Sequence, residues 1–528
     1  MLTRRSLIAA SAAGPFLAFE TLAATPNGVV VLVGGIDDIV SFDPAQSYEF
    51  TNGLILANCY RRLVRPNLKD TNTVAGDLAD SWTVSPDGKL FTFQLTKKAF
   101  FPSGKALTAE DAAFSLQRVV KLNKTPGFII TQFGFTKDNV EKLIRATGPN
   151  TLVVELPTVA ATSFVLFCLG ATVGSVVEKA ATLANQSNDD LGNAWLTSHT
   201  AGAGPYQLTS WAASDKVICD ANPHSGIPVH NKRIIYLHVK DPAAQLLMLQ
   251  KGDADVAREL TPDQLKEVAK DKTFHIASSG QGTSMYIAMN MSLPQFQKQP
   301  VRQAIKWAID YDAIATNITP NTWVVWQTFL PKGLPGSVPD KPFKKDIAKA
   351  KALLAEGGFP NGFEVTLDHV SSPPWSDVAQ AIQADLGAIG IKVSLLGGEA
   401  KQVYTKNRAR QHQLALLPWG TDYFDPNSNA QAWCANPDDS DNSKLKILAW
   451  RSHFVDPELT AMVEAASKEL DNTKRMAMYA TMQRMALDRA PFAWLMQNIN
   501  TAVLGKGVSG YVVGPVADFT KYANIEKT

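Results

Sequence analysis

The amino-acid sequence predicts an α/β protein of two lobes, and three observations carry that reading. β-branched runs such as Val29-Val30-Val31-Leu32-Val33 have the character of buried strands. Strand-like and amphipathic helix-like stretches alternate on both sides of the middle of the chain, with no internal repeat. The length of 528 residues is several domains' worth, at about 150 residues each.

Taken in order, the run Gly28 to Val33 is the first strand, and Ser41-Phe42-Asp43-Pro44 is a turn. An apolar stretch from Gly53 to Leu63 reads as a helix. Ser81 to Val84 and Leu90 to Leu95 flank Pro86-Asp87-Gly88, so a hairpin is expected there. Thr108 with Asp111 has the chemistry of a capped helix start. Thr261-Pro262-Asp263-Gln264 repeats it, with Pro at the first helical position. Apolar residues at 301, 304, 305, 308 and 309 mark one stripe of a helix. A second such helix starts near Asp377, with Val378, Ile382, Leu386 and Ile389 on one face, and the strand Ile391 to Leu395 follows. The Pro- and Gly-rich stretch 320 to 345 reads as a long surface connection, as does the polar stretch 435 to 445.

Composition excludes several classes. Hydrophobic residues make up 45% and charged residues 19%, enough for a well-built core. Lys plus Arg is 51 against 49 for Asp plus Glu, so the basic excess of a nucleic-acid binder is missing. The cysteines at 59, 168, 219 and 434 are too far apart for a C-x-x-C motif. They leave open two bridges in any of three pairings, or free buried thiols.

Residues 1–24 read as an export signal: Arg4-Arg5, then an apolar stretch from Leu7 to Phe19, then Ala23-Ala24. Thr3-Arg4-Arg5-Ser6-Leu7-Ile8 resembles a twin-arginine signal, without the Phe and Lys usual at later positions. No later stretch has some twenty uncharged apolar residues, so a soluble, periplasmic mature chain is expected.

Motifs of catalysis are mostly missing. Gly507-Val508-Ser509-Gly510 continues to Tyr511 and makes no nucleophile elbow. Gly104-Lys105 lacks the rest of a phosphate-binding loop, and neither Gly202-Ala203-Gly204 nor Gly280-Gln281-Gly282 reaches a third Gly. The His residues are scattered, and Asp438-Asp439-Ser440-Asp441 lacks the Gly and Glu of a calcium loop. No metal, cofactor or enzymatic activity is expected.

Eight short stretches, in order, resemble the extracytoplasmic solute-binding proteins of peptide-type ABC importers, the dipeptide/oligopeptide-binding group known as family 5. They begin with Ser41 to Pro44, Asn58 to Leu63, Leu78 to Gly88 and Phe100 to Asp111. Gly202 to Tyr206 with Trp211, Val301 to Asp310, Gly358 to Phe363 and Trp419 to Pro426 complete them. The resemblance implies a two-lobed periplasmic-binding-protein (venus-flytrap) fold with an extra subdomain inserted in the first lobe. It places lobe one at 25–282 plus 496–528, the subdomain at about 55–195, and lobe two at 283–495. It further implies a monomer that delivers a small solute to a membrane permease driven by an ATPase.

The resemblance also assigns candidate ligand residues. Asp422 lies in Trp419-Gly420-Thr421-Asp422-Tyr423-Phe424-Asp425-Pro426, just past the apolar run Leu414 to Leu417. A strand ending in such a loop is where α/β domains hold ligands. In peptide-binding members the first Asp of this stretch pairs with the ligand's ammonium; otherwise Asp422 caps a turn. Trp419 and Tyr423 are either flat walls of the cleft or core, and Trp433 is expected to be structural. Tyr48 is expected to face the cleft from lobe one. Dipeptide-binding members carry a carboxylate-clamping Arg on the strand before the Asp377 helix; here that strand reads Leu367-Asp368-His369-Val370, with His369 nearest the position. Longer peptides, amino-acid conjugates, opine-like compounds and other amine-bearing solutes therefore stay open. Other readings of the fold are a sugar, nickel-chelate or haem binder and a sensory or chaperone-like module; an exported hydrolase is the reading from another class.

Overall fold

A computed structural model describes residues 25–528; the expected export signal lies outside the described residues. The frame is an eleven-stranded mixed sheet. From one edge it runs Lys392–Gly398, Glu364–Val370, Leu414–Gly420, His275–Met289, Phe492–Leu504, Val256–Ala257, Val29–Gly34, Arg233–His238, Lys216–Ala221 and Tyr206–Ala212. The short strand Trp323–Val325 pairs off this path with Phe492–Leu504.

Each half of the sheet has a parallel core of three strands, and the halves give the protein its two lobes. Val29–Gly34 runs parallel to Arg233–His238 and Val256–Ala257, while Glu364–Val370 runs parallel to Lys392–Gly398 and Leu414–Gly420. Two long antiparallel strands cross between them, pairing His275 with Leu504 at one end and Ala288 with Phe492 at the other. Their register breaks between Gly280 and Ser284. There the buried Gln497 side chain donates to the Gln281 and Lys332 carbonyls at 3.0 and 2.9 Å and accepts from the Lys332 N–H at 3.0 Å. It supplies the hydrogen bonds that the interrupted ladder does not.

Each half has its own apolar core. In the first, Ile55, Leu56 and Cys59 of the helix Phe50–Cys59 pack on Val30 and Leu32. In the second, the helices Gln299–Ala308 and Trp375–Gly387 bury Val301, Ile305, Val378 and Ile382 against Ile287, Leu367 and Leu416. A third core lies under a separate four-stranded antiparallel sheet, ordered Ala79–Val84, Leu90–Leu95, Thr151–Glu155, Ile144–Gly148. Its inward Phe91, Phe93, Leu152 and Val154 meet Ala112, Leu116 and Val119 of the helix Ala109–Leu122.

The expected hairpin forms, with Trp82 opposite Phe93, and Thr108 and Thr261 both close capping boxes. Two expectations are corrected. The helix expected over Gly53 to Leu63 runs Phe50–Cys59, and the chain turns extended at Tyr60. Beyond it, Arg61 pairs with Asp77 at 2.9 Å and the buried Arg62 pairs with Asp518 and donates to the Gly170 carbonyl at 2.7 Å. The Gly202-Ala203-Gly204 pair explains itself here, because a Cβ on Gly204 would lie 2.4 Å from the Cys59 carbonyl carbon. The stretch 320 to 345 is only in part a surface connection: Lys341, Pro342, Lys344 and Lys345 are exposed, but Trp326, Gln327, Thr328, Phe329 and Leu330 are all buried. Gln327 bonds both the N–H and the C=O of Phe343 at 2.9 and 2.8 Å, which lets irregular backbone sit inside.

Candidate functional site

A cavity of about 380 Å³ lies where the two lobes meet. The second lobe contributes the strand end and loop Pro418 to Phe424; the first contributes Ser47 to Phe50, Arg258 and residues 514–518. The loop is held by several ties. Leu414, Ala415, Leu416 and Leu417 are buried in the sheet, pinned antiparallel to His275–Met289. Thr421 donates from both its N–H and its hydroxyl to the Gly282 carbonyl at 2.9 Å, and the Gly282 N–H reaches the Pro515 carbonyl at 3.2 Å. Gly420 passes close to the first lobe, where an added Cβ would lie 3.2 Å from the Phe50 ring.

The two carboxylates of this stretch part company. Asp425 is fully buried, caps the helix Pro426–Cys434 through the Asn427 N–H at 2.9 Å, and grips Arg475 through two bonds of 2.8 and 2.6 Å. Arg475, also fully buried, reaches Ser163 at 2.9 Å, so the pair ties the second lobe to the four-stranded subdomain. Asp43 of the Ser41 to Pro44 turn does the same work elsewhere, held bidentate by the buried Arg118 at 2.7 and 2.5 Å.

Asp422 instead lines the cavity. Its N–H donates to the Ser428 hydroxyl at 3.0 Å, and its Oδ1 accepts from the Tyr48 hydroxyl of the other lobe at 2.5 Å. Desolvation pushes the carboxyl up to about 6, against the pull of the Tyr48 hydrogen bond and the Arg451 charge. Tyr48 is 39% exposed as a residue. Burial of its hydroxyl, followed by the neighbouring Asp422 charge, raises it well above the phenol range, so it stays a donor. Among the described residues no donor reaches Asp422 Oδ2, so a carboxylate in partial shelter keeps one oxygen without a protein partner.

Tyr423 and Trp419 also line the cavity, and both double as packing. The Tyr423 ring stacks on Phe164 at 5.8 Å, inside the core of the subdomain, and its hydroxyl reaches Gln132 at 3.4 Å. Trp419 bonds Asn429 at 3.4 Å and lies edge-on to Trp433, which is fully buried. Tyr48, Trp419, Asp422 and Tyr423 therefore meet around one space. His369 is not brought to it. That side chain is 6% exposed, its Nδ1 lies 2.9 Å from the Val370 carbonyl, and the ring packs on Gly397 of the neighbouring strand. Asp368 beside it is taken by Lys406 at 2.6 Å.

Arg258, Phe50 and Arg475 escaped the sequence reading. Arg475 stands fifty positions from its partner, beyond any local pattern. Arg258 follows directly on the parallel strand Val256–Ala257, and only the rule that ligands gather at the carboxyl ends of parallel strands would have singled it out.

A clamshell of two α/β lobes around a cavity charged from both sides defines a solute-binding protein of the periplasmic type. The family model described as bacterial extracellular solute-binding proteins, family 5 Middle, matches residues 73–441, and the chain belongs to that family. Among curated relatives, a probable D,D-dipeptide-binding periplasmic protein of Escherichia coli is 26% identical over 94% of this chain and 93% of its own length. A glutathione-binding protein of Salmonella choleraesuis is 26% identical over 98% of each. Among solved structures, a periplasmic binding protein from Helicobacter pylori in complex with the peptide STSA superimposes with a TM-score of 0.77 at 23% identity, covering 94% of this chain and 98% of that one. A substrate-binding protein of an ABC transporter from Listeria monocytogenes reaches a TM-score of 0.81 at 19% identity, covering 96% and 100%. Among the described residues no helix is long and apolar enough to cross a membrane.

Proposed function

We propose that the chain captures a peptide-like, amine-bearing solute between its lobes and delivers it to a membrane permease driven by an ATPase. Asp422 carries this reading. A carboxylate held in a cleft with one oxygen unpaired is costly until a cation arrives, so the site selects ammonium-bearing solutes over neutral ones. Tyr48 holds the other oxygen and links the lobes, while Trp419 and Tyr423 supply flat apolar walls. The names of the relatives, dipeptide-binding and glutathione-binding, support the same class. We place lobe one at 25–282 plus 496–528, the subdomain at about 55–195 and lobe two at 283–495, with the crossover strands as the hinge about which a bound solute shifts the open–closed balance. The mature chain works in the periplasm as a monomer.

A thermal-shift screen of the purified chain against peptides, amino-acid conjugates, sugars and nickel tests the reading, because a ligand of the folded form raises the melting temperature by mass action. Amine-bearing solutes are expected to raise it, and Asp422→Ala to remove the shift. A shift caused only by sugars or nickel, unchanged in Asp422→Ala, would refute it.

A further inference from the structure

We propose that Arg258 is the anion-receiving end of the cleft, so that the bound solute is a zwitterion spanning the lobes, with its ammonium on Asp422 and its carboxylate on Arg258. This rests on the reading of Asp422 as the ammonium site and adds the second charge of the ligand.

Arg258 stands in the cavity wall contributed by the first lobe. Its backbone N–H donates to the Val33 carbonyl at 3.2 Å, which fixes the residue at the end of the parallel strands. The guanidinium carbon lies 5.3 Å from the centroid of the Tyr236 ring, a cation–π seat that holds the plane of the fork. Nη1 is buried, yet has no hydrogen-bond partner. No carboxylate among the described residues lies within salt-bridge distance of it. The fork makes no hydrogen bond to any described residue, so its remaining donors are open to an oxygen anion in the cavity.

The other charges of the cavity leave this role to Arg258. Asp518 is already paired with Arg62. Glu49 is exposed at the rim. Asp422 and Arg258 then remain as opposite charges from opposite lobes, neither matched by a protein ion pair. A ligand bearing one charge would satisfy one lobe; a ligand bearing both ties the two together, which couples recognition to closure. A carboxylate suits a guanidinium fork because two parallel N–H···O bonds can form. The cavity therefore supplies an arginine for the carboxylate from the lobe opposite to His369, the position to which the resemblance pointed. One rival cation exists. Arg451 also has a buried, unpartnered Nε and lowers the Asp422 carboxyl, but it belongs to the same lobe as Asp422 and is not part of the cavity wall.

The experiment is titration calorimetry on the full mature chain with three zwitterions of different length and hand: Met-Leu, D-Ala-D-Ala and Ala-Ala-Ala. Each is used free, as its C-terminal amide and as its N-acetyl derivative, against wild type, Arg258→Gln, Arg258→Lys, Arg451→Gln and Asp422→Asn. For a zwitterion that binds, amidation is expected to weaken wild type by about tenfold or more. In Arg258→Gln that acid-over-amide preference should fall to about twofold or less, while the penalty for N-acetylation persists. Arg258→Lys should keep an intermediate preference, since it keeps the charge and loses the fork. An acid-over-amide preference that survives Arg258→Gln, or that disappears in Arg451→Gln instead, overturns the assignment of Arg258 and leaves the ammonium site standing. N-acetylation without cost in wild type, or no binding by any of the three, overturns the ammonium reading and the zwitterion with it. If Arg258→Gln fails to melt cooperatively without ligand, the Arg258→Lys ratio decides, and an undiminished preference there overturns the proposal.

Discussion

Raising the pH from 5 to 7 should strengthen binding of an amine-bearing solute, through Asp422. Its carboxyl is pushed up to about 6 by desolvation, with Tyr48 and Arg451 pulling the other way. A group with that value is about one-tenth ionised at pH 5 and about nine-tenths at pH 7. Only the ionised form pairs with an ammonium, so the association constant should rise about tenfold over that range. Above pH 7 it should level off until the ligand's own amine loses its proton, at roughly pH 8. The sign for the empty protein is opposite. Because the folded value lies above the unfolded one, the folded form binds more protons between about pH 4 and 6, and stability falls as pH rises through that window. The fall is on the order of 2–3 kcal/mol for a carboxyl raised from its ordinary value to about 6, and an arriving ammonium offsets it. Calorimetry at pH 5, 6 and 7 reads the affinity, and repetition at pH 6 in two buffers of different ionisation enthalpy reads the proton released on binding. Asp422→Asn should bind weakly and without pH dependence. A flat wild-type affinity from pH 5 to 7, or an unchanged slope in Asp422→Asn, would refute the reasoning.

Tyr48→Phe removes the donor that holds Asp422 Oδ1, so the midpoint of that pH profile should move above its wild-type position, and affinity at pH 7 should change by less than about tenfold. A midpoint that moves down counts against the hydrogen bond. Arg475→Met strands the fully buried Asp425 and should lower unfolding stability by about 3–5 kcal/mol; a denaturant midpoint close to wild type would contradict the structure. All four cysteines are free and buried, and the Cys59 thiol is raised by its contact with Cys219 and by burial, Cys168 and Cys434 by burial. The native chain should therefore react negligibly with a thiol reagent, and unfolded chain should yield four thiols. A yield of two would mean that Cys59 and Cys219, whose sulfurs lie 4.0 Å apart, had joined.

Much of the local structure was legible because its causes are local. The hairpin before Leu90, the boxes at Thr108 and Thr261 and the stripe from Val301 each follow from residues within a turn or two of one another. That the middle of 320 to 345 is buried was hidden for an equally local reason. Pro and Gly punctuate a surface loop and a buried irregular segment alike, and it takes Gln327, reaching Phe343 sixteen residues on, to satisfy the inner backbone. The end of the helix at Cys59 was hidden for a similar reason, since Gly202 and Gly204 press on it from far along the chain.

The site divides along the same line. The loop Trp419 to Pro426 announced itself, and Asp422, Trp419, Tyr423 and Tyr48 do surround one cavity. Which of its two aspartates faces the cavity was decided by Arg475, which draws Asp425 into the core and leaves Asp422 in the cavity wall. His369 had a place in the chain that suggested a ligand, yet strand pairing turns it against Gly397. Arg258 had no pattern to mark it, and became visible only when two lobes folded around it left its guanidinium without an acceptor. The sequence by itself determined the elements, the two-lobed class and the family, because periodicity, caps and turn chemistry act over a few residues. Tertiary structure alone decided which charges are spent inside the protein and which are left for a ligand, because a charge is neutralised by whatever lies within a few ångströms, however distant that partner is in the chain.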